Sequence, residues 1–276
     1  MKLIATAIFI LQLLSATTVH AQDADAAKVQ LGSRTAKNGF QNEDDIQDKF
    51  KNWKTDEDAR QWLTSMNHDL AEIKSVSAAK PHGAKADVEV TVESASGKSI
   101  ERISIKLVSS ANGFNQIDKR WLAAYAEMWN MPADVMKALK LYVGETPPHK
   151  LSRNDERMYL DELDQKTQKS VLKFFASRKD EIVSDLLAGD GEHSATWFMV
   201  TYKGRDKPEW LLRSTNDAIK FFSEGDVVMT RAGNLKIGRI SMQRKGGDNG
   251  RETAKMLQFK LNPVQLFEMP VPDKKQ

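Results

Sequence analysis

The sequence predicts an α+β (mixed α/β) fold, and three observations carry that expectation. Apolar residues recur at helical spacing in several segments, one stretch alternates apolar and polar residues along both arms of a hairpin, and the last third of the chain is mostly short strand-like runs. Helices, then a hairpin, then helices, then strands is the order expected of one α+β or mixed α/β domain.

Ile46, Phe50 and Trp53 share one face of a first helix, with Glu43, Asp44 and Asp45 in the first turn, where the helix dipole favours acids, and Asn42 placed as a cap. A second helix is expected over Thr55 to Met66, with Trp62 and Leu63 inward. In Asp87-Val88-Glu89-Val90-Thr91-Val92-Glu93 the valines point one way while Asp87, Glu89 and Thr91 point the other. Ser94 to Lys98 makes the turn, and the return strand over Ile100 to Val108 sets Ile103, Ile105 and Leu107 against Arg102, Ser104 and Lys106. Amphipathic helices are expected over 116–129, with Ile117, Trp121, Leu122, Tyr125 and Trp129 as a core stripe, and over 132–142. After Pro147-Pro148, Lys166 to Leu187 reads as one long helix. Strands are expected over 195–203, 208–213, 225–230, 235–244 and 255–261, with a short helix near Ser214 to Phe222.

Composition narrows the chemistry. The chain of 276 residues is 40% hydrophobic with six Trp and eleven Phe, enough for a sizeable core. It has no Cys, which excludes disulfides, thiol catalysis and Cys-ligated zinc. His20, His68, His82, His149 and His193 are scattered without ligand spacing, so no zinc site is expected. The net charge of +3 does not announce a nucleic-acid binder, but between Arg231 and Lys260 eight basic residues face only Asp248 and Glu252. On charge alone that stretch is a solvated face. Residues 1–21 have a basic start at Lys2, an apolar run from Leu3 to Leu14, and Val19-His20-Ala21 as a small-residue cleavage site. They read as a secretory signal peptide, too short to span a bilayer comfortably, followed by a polar linker over 22–30.

The polar face of the hairpin brings chemistry-bearing residues together. Asp87 opens one strand and Lys106 stands nineteen residues later on the next, with Ser104 between them on the same side. Hydrolysis of a phosphodiester calls for a divalent cation held by few protein oxygens and for a cation that stabilises developing negative charge. A carboxylate and a lysine so placed resemble the PD-(D/E)xK nuclease site, although Asp and Lys on the solvent side of a hairpin also occur with no function. The acid expected two residues before the lysine is Ser104, and Ala86 stands where that motif has Pro.

Longer stretches carry a more specific resemblance. Leu31-Gly32-Ser33-Arg34-Thr35-Ala36-Lys37-Asn38-Gly39-Phe40-Gln41-Asn42-Glu43, Glu72 to Val76, Ile105 to Ser109, Gly113-Phe114-Asn115-Gln116-Ile117-Asp118-Lys119, and Gln243-Arg244-Lys245-Gly246-Gly247-Asp248-Asn249-Gly250-Arg251-Glu252-Thr253-Ala254, extended by Met256 to Lys260, resemble the HinP-type restriction endonucleases, which cut GCGC. The resemblance spans about residues 31–268. It implies a restriction-endonuclease-like core over 31–270, with a central mixed sheet flanked by helices and a polar tail over 271–276.

It also implies a type II, Mg²⁺-dependent enzyme acting on double-stranded DNA, with a cognate DNA methyltransferase in the same system. The family's Ser-Asp and Gln-x-Lys fall here on Ala86-Asp87 and Ser104-Ile105-Lys106. Asp87, Ser104, Lys106 and Glu43 are therefore the expected catalytic residues, with Asp87 and Glu43 as metal ligands. Glu43 reads equally as an acid satisfying its helix dipole.

For DNA contact, Gln243, Arg244, Lys245, Asp248, Asn249 and Arg251 offer donors for guanine O6/N7 and an acceptor for cytosine N4; the same segment would otherwise be a mobile hairpin with solvent charges. Phe114, with Asn115, Gln116 and Lys119 beside it, is either a staple under the next helix or a wedge between base steps. Three further readings stand beside this one: an exported, less specific DNase, which suits the leader; a catalytically weakened DNA-binding protein, which suits Ala86 and Ser104; and a non-enzymatic exported binding module, which explains the leader but not the long family match. A cytoplasmic location with no membrane association is expected of a protein that starts downstream of the leader, near Val29; with the leader translated, the location is periplasmic or secreted.

Overall fold

The computed structural model describes residue 30 and residues 34–81, 83, 85–247 and 251–270. The leader, most of the linker, the polar tail, Asp248 and Asn249 lie outside the described residues. The architecture is mixed α/β, built on two five-stranded sheets where one central sheet was expected.

Helix α1 runs over residues 34–51, well upstream of the expected start. Asn42 is therefore not its cap: it lies inside the helix, buried, and its amide donates to Thr201 Oγ1 at 3.1 Å. Helix α2, Glu57–Ser65, is capped by Asp56, whose side chain accepts from the Ala59 amide at 2.9 Å. Strand β1, Ile73–Ala79, was not anticipated; its burial shows little alternation, and pairing with β2, Val88–Ser94, creates it. β2 and β3, Gly97–Val108, form the expected hairpin, with Val88 opposite Ile103 and Glu89 opposite Arg102. β5, Trp197–Tyr202, then runs parallel to β3, and β6, Glu209–Ser214, closes the first sheet in the order β1-β2-β3-β5-β6.

The expected helix over 116–129 is corrected. Asn115–Arg120 is strand β4, paired antiparallel with β10, Leu257–Leu261, and only Leu122–Met128 is helical, as α3. Cross-strand pairing decides the matter, because Ile117 is buried equally well by either period. Trp121 leaves the supposed core stripe: it caps α3 with an extended backbone and is exposed. The second expected helix is present as α4, Ala133–Val143. The single helix over Lys166–Leu187 is corrected to α5, Gln165–Ser177, and α6, Lys179–Leu187, broken at Arg178 with φ −120°. Asp180 and Glu181 fill the first turn of α6, as a new helix start requires.

Helix α7, Thr215–Ser223, is capped by Ser214. Strands β7, Val227–Met229, β8, Leu235–Ile237, and β9, Ile240–Arg244, complete the second sheet in the order β4-β10-β9-β8-β7. The expected strand over 235–244 is thus two strands joined at Gly238 (φ 55°), where a Cβ would meet the Phe222 carbonyl oxygen at 2.5 Å.

The first sheet has a core on each face. Val88, Val90, Ile103, Ile105 and Met199 pack on Ile46, Phe50, Trp62 and Leu63 of α1 and α2. Phe198, Val200 and Val108 join the larger core that holds the second sheet and helices α3 to α7. Trp129 sits fully buried there, stacked on Tyr125 at 4.9 Å and edge-on to Phe259 at 5.6 Å. Among the described residues no helix is long and apolar enough to cross a membrane.

Candidate active site

The hairpin's alternation fixes the site's geometry. Val88 and Ile103 point into the first core, so Asp87 and Ser104 turn to the other side, and Lys106 stands two residues on. The Asp87 amide donates to the Ile103 carbonyl at 2.8 Å, and Asp87 Oδ2 accepts the Ile105 amide at 2.6 Å. Lys106 Nζ donates to Ser104 Oγ at 3.1 Å and to the Ile105 carbonyl at 2.9 Å, and stands 3.5 Å from Asp87 Oδ2. Ser104 Oγ, in a residue only 1% exposed, completes the triangle at 3.4 Å from Asp87 Oδ2. The structure thus brings together three of the four residues expected to be catalytic. Ala86, at the first departure from the family pattern, is buried.

Glu43 comes from α1. It pairs with Lys80 at 3.1 Å, and burial raises its carboxyl above the ordinary range against the pull of Lys80, with the Asp87 charge raising it further. Glu43 is thus close enough to feel both Asp87 and Lys106. Among the described residues no three His, Asp or Glu side chains converge on a metal-sized site. The donor set still suits Mg²⁺, which takes one or two carboxylates and keeps water and phosphate in its other positions. Asp87 Oδ1 receives no hydrogen bond from a described residue, and the Asp87 charge acts on Glu43.

Asp87, Ser104 and Lys106 line one wall of a cleft of about 530 Å³. Its other walls hold residues that sequence reasoning missed. Lys85 donates to the Ile117 carbonyl at 2.8 Å and faces Asp118 at 3.5 Å. Burial pushes the Lys85 ammonium down to about 8, opposed by Asp118 and reinforced by Lys106 and Arg120. Burial works against the Asp118 charge, yet Arg120 at 3.0 Å, Lys85 and the Tyr125 hydroxyl at 2.5 Å together hold its carboxyl below the ordinary range. Gly189 to His193 also line the cleft, with His193 Nδ1 3.5 Å from Glu89, which Arg102 also binds at 3.0 Å. Position two before Asp87 was the one available sequence signal for Lys85; Asp118 was hidden by the helical reading of 116–129.

The residues expected to contact DNA fall elsewhere. Lys119, Gln258 and Gln243 stand opposite one another across β4, β10 and β9, and Gln116 stands opposite Lys260 two residues further along β10. Phe114 is 57% exposed and precedes a strand, so it is not a staple under a helix. Asn115 donates to the Leu107 carbonyl at 2.9 Å, which ties β4 to the end of β3, the strand that carries Ser104 and Lys106. Arg244 pairs with Glu156 at 2.9 Å, and Lys245 donates its amide to the Met256 carbonyl at 2.8 Å. Arg251 is exposed at the other end of the segment.

Comparison with known proteins bears on the fold and the family. A search of curated proteins gives no match. The fold is similar to a solved structure of the restriction endonuclease MspI in complex with its cognate DNA, with a TM-score of 0.57 and 13% identity, covering 79% of this chain and 87% of that one. A sequence profile of the R.HinP1I restriction endonuclease matches residues 66–267, a span that takes in the β2–β3 hairpin and every strand of both sheets. By the extent of that match the chain belongs to the R.HinP1I restriction endonuclease family.

Proposed function

We infer that the protein is a type II site-specific deoxyribonuclease that uses Mg²⁺ to hydrolyse double-stranded DNA at a short G·C-rich site, GCGC. The observation that carries this reading is the convergence of Asp87, Ser104 and Lys106 on one wall of an open cleft, at the spacing that the family's catalytic residues have. Asp87 would hold the ion, with Glu43 behind it. Held there, Mg²⁺ would neutralise charge on the phosphoryl oxygens and lower the pKa of the attacking water.

The chain's own groups do the rest. Lys106, fixed by Ser104 and the Ile105 carbonyl, presents its ammonium to the phosphoryl oxygens as negative charge develops. The Ile105 amide fixes the Asp87 carboxylate, so its orientation needs no adjustment when the phosphate arrives. Base recognition is assigned to the Gln243–Arg251 segment, and Phe114 to contact with the base stack. A cognate methyltransferase would protect the host's own sites.

One observation favours a second reading. Ser104 is buried and already engaged with both Lys106 and Asp87, where the family has a longer Gln, which suits a DNA-binding protein that cuts slowly. End-labelled duplexes with one GCGC, or with one pair of it replaced, separate the readings when incubated with and without Mg²⁺. Cutting of the GCGC duplex in Mg²⁺ alone supports the enzyme; a specific gel shift without cutting supports the weakened binder.

A further inference from the structure

Arg244 closes strand β9, at the start of the segment assigned to base reading. Its side chain is only 11% exposed, and its Nη2 is held 2.9 Å from Glu156 Oε2. Its Nε is buried and takes no partner among the described residues. Glu156 is therefore the carboxylate that fixes this guanidinium, and it is itself exposed on the loop after α4.

That loop is built to bring Glu156 there. Gly144 ends α4 in the left-handed region (φ 86°), and a Cβ on it would lie 2.9 Å from the Glu156 carbonyl oxygen, so only glycine lets the chain pass at this point. The Met158 amide donates to the Leu141 carbonyl at 3.0 Å, and Ser152 donates to the Arg157 carbonyl at 2.8 Å. Arg157 stacks over Tyr159 at 4.1 Å and over Tyr142 at 5.3 Å, and the Tyr142 hydroxyl donates to Asn234 at 2.6 Å, which joins the loop to the second sheet.

We propose that Glu156 is a specificity-determining positioning residue, which orients the Arg244 guanidinium for reading guanine. This rests on the nuclease reading above. Arginine reads guanine through a planar fork aimed at O6 and N7, and a long side chain does so selectively only when something holds the plane of that fork. Glu156 does so without approaching the catalytic cleft, so its loss acts on discrimination.

The test measures kcat/KM of the full chain on a GCGC duplex and on duplexes with one G·C pair replaced, for the wild type, Glu156→Gln and Asp155→Asn. Asp155 is the neighbouring exposed acid and controls for the loss of one negative charge near DNA. Glu156→Gln is expected to lose about tenfold of the discrimination at one base pair, with the other positions and the thermal midpoint unchanged, and Asp155→Asn to lose none. A purely structural role lowers every duplex alike. Discrimination unchanged or raised in Glu156→Gln overturns the role of Glu156. A wild type that cuts with no site preference overturns the site-specific reading and this inference together, and a wild type that cuts no duplex overturns the nuclease reading itself.

Discussion

Replacing Lys106 with Met keeps the length of the side chain and removes its charge, so the contacts of the ammonium determine the cost. Three of them disappear: those to Ser104 Oγ at 3.1 Å, to the Ile105 carbonyl at 2.9 Å and to Asp87 Oδ2 at 3.5 Å. Asp87 keeps its shortest bond, from the Ile105 amide at 2.6 Å, and its side chain is 29% exposed, so water replaces the lost partner. The stability cost should therefore stay near that of a partly exposed ion pair, at most about 1 kcal/mol.

Catalysis should suffer more. A preorganised donor aimed at developing charge contributes about 3–4 kcal/mol to the transition state. At about 1.4 kcal/mol per decade, kcat should fall roughly 10²- to 10³-fold. Binding of uncut DNA in the absence of metal should change by less than about threefold, because Asp87 beside it already offsets the ammonium charge. Single-turnover cleavage and a binding isotherm on the same duplex measure both. Cutting within threefold of wild type by a folded Lys106→Met protein would refute the assignment of Lys106, and equal losses in binding and cleavage would show that it serves the duplex more than the reaction.

The same geometry sets other outcomes. Asp87→Asn keeps the shape and discards the ligand charge, so Mg²⁺-dependent cleavage should be lost while the thermal midpoint moves by only a few degrees. Ser104→Gln, which restores the family residue and can extend into the cleft, should leave the cleavage rate equal or higher; a sharp drop would show that the site is built around the serine. Tyr125→Phe removes the 2.5 Å bond to Asp118 from a fully buried ring, and urea unfolding should show a loss of about 1.5–3 kcal/mol. Lys85 carries a folded pKa of about 8, below its ordinary 10.5, so above pH 8 the unfolded chain holds more protons and stability should rise with pH. Denaturation from pH 7 to 9.5 should show wild type gaining on Lys85→Met as pH rises; a constant difference would refute the depressed pKa.

How legible the molecule was in its sequence depended on whether a local period matched a tertiary demand. The β2–β3 hairpin was readable because one face meets α1 and α2 and the other meets the cleft, so burial imposes a strict alternation and delivers Asp87, Ser104 and Lys106 to one side. The strand Asn115–Arg120 was not, since its single buried residue, Ile117, fits a helix stripe as well as a strand, and only pairing with β10 decides between them. That error concealed Asp118, and with it the network of Lys85, Arg120 and Tyr125. The break at Arg178 left no Gly or Pro to announce it. The second sheet depended on the pairing of β4 with β10, more than a hundred residues later, which no window along the chain can see. Glu43 reads in the sequence as an acid in the first turn of its helix, but α1 begins at residue 34 and puts it in the helix interior, where the helix dipole gives it no special place. The influence of Asp87 and Lys106 on it came only from the packing of α1 on the sheet.

The central claim is cleavage of DNA at one short sequence, and a plasmid of known sequence tests it most directly. Incubated with the purified chain and Mg²⁺, and with the ends of the products mapped, it should give discrete fragments whose ends all fall within GCGC, and no fragments in EDTA. A smear of random ends would contradict sequence specificity, and an intact plasmid in Mg²⁺ at high protein concentration would contradict the enzyme itself.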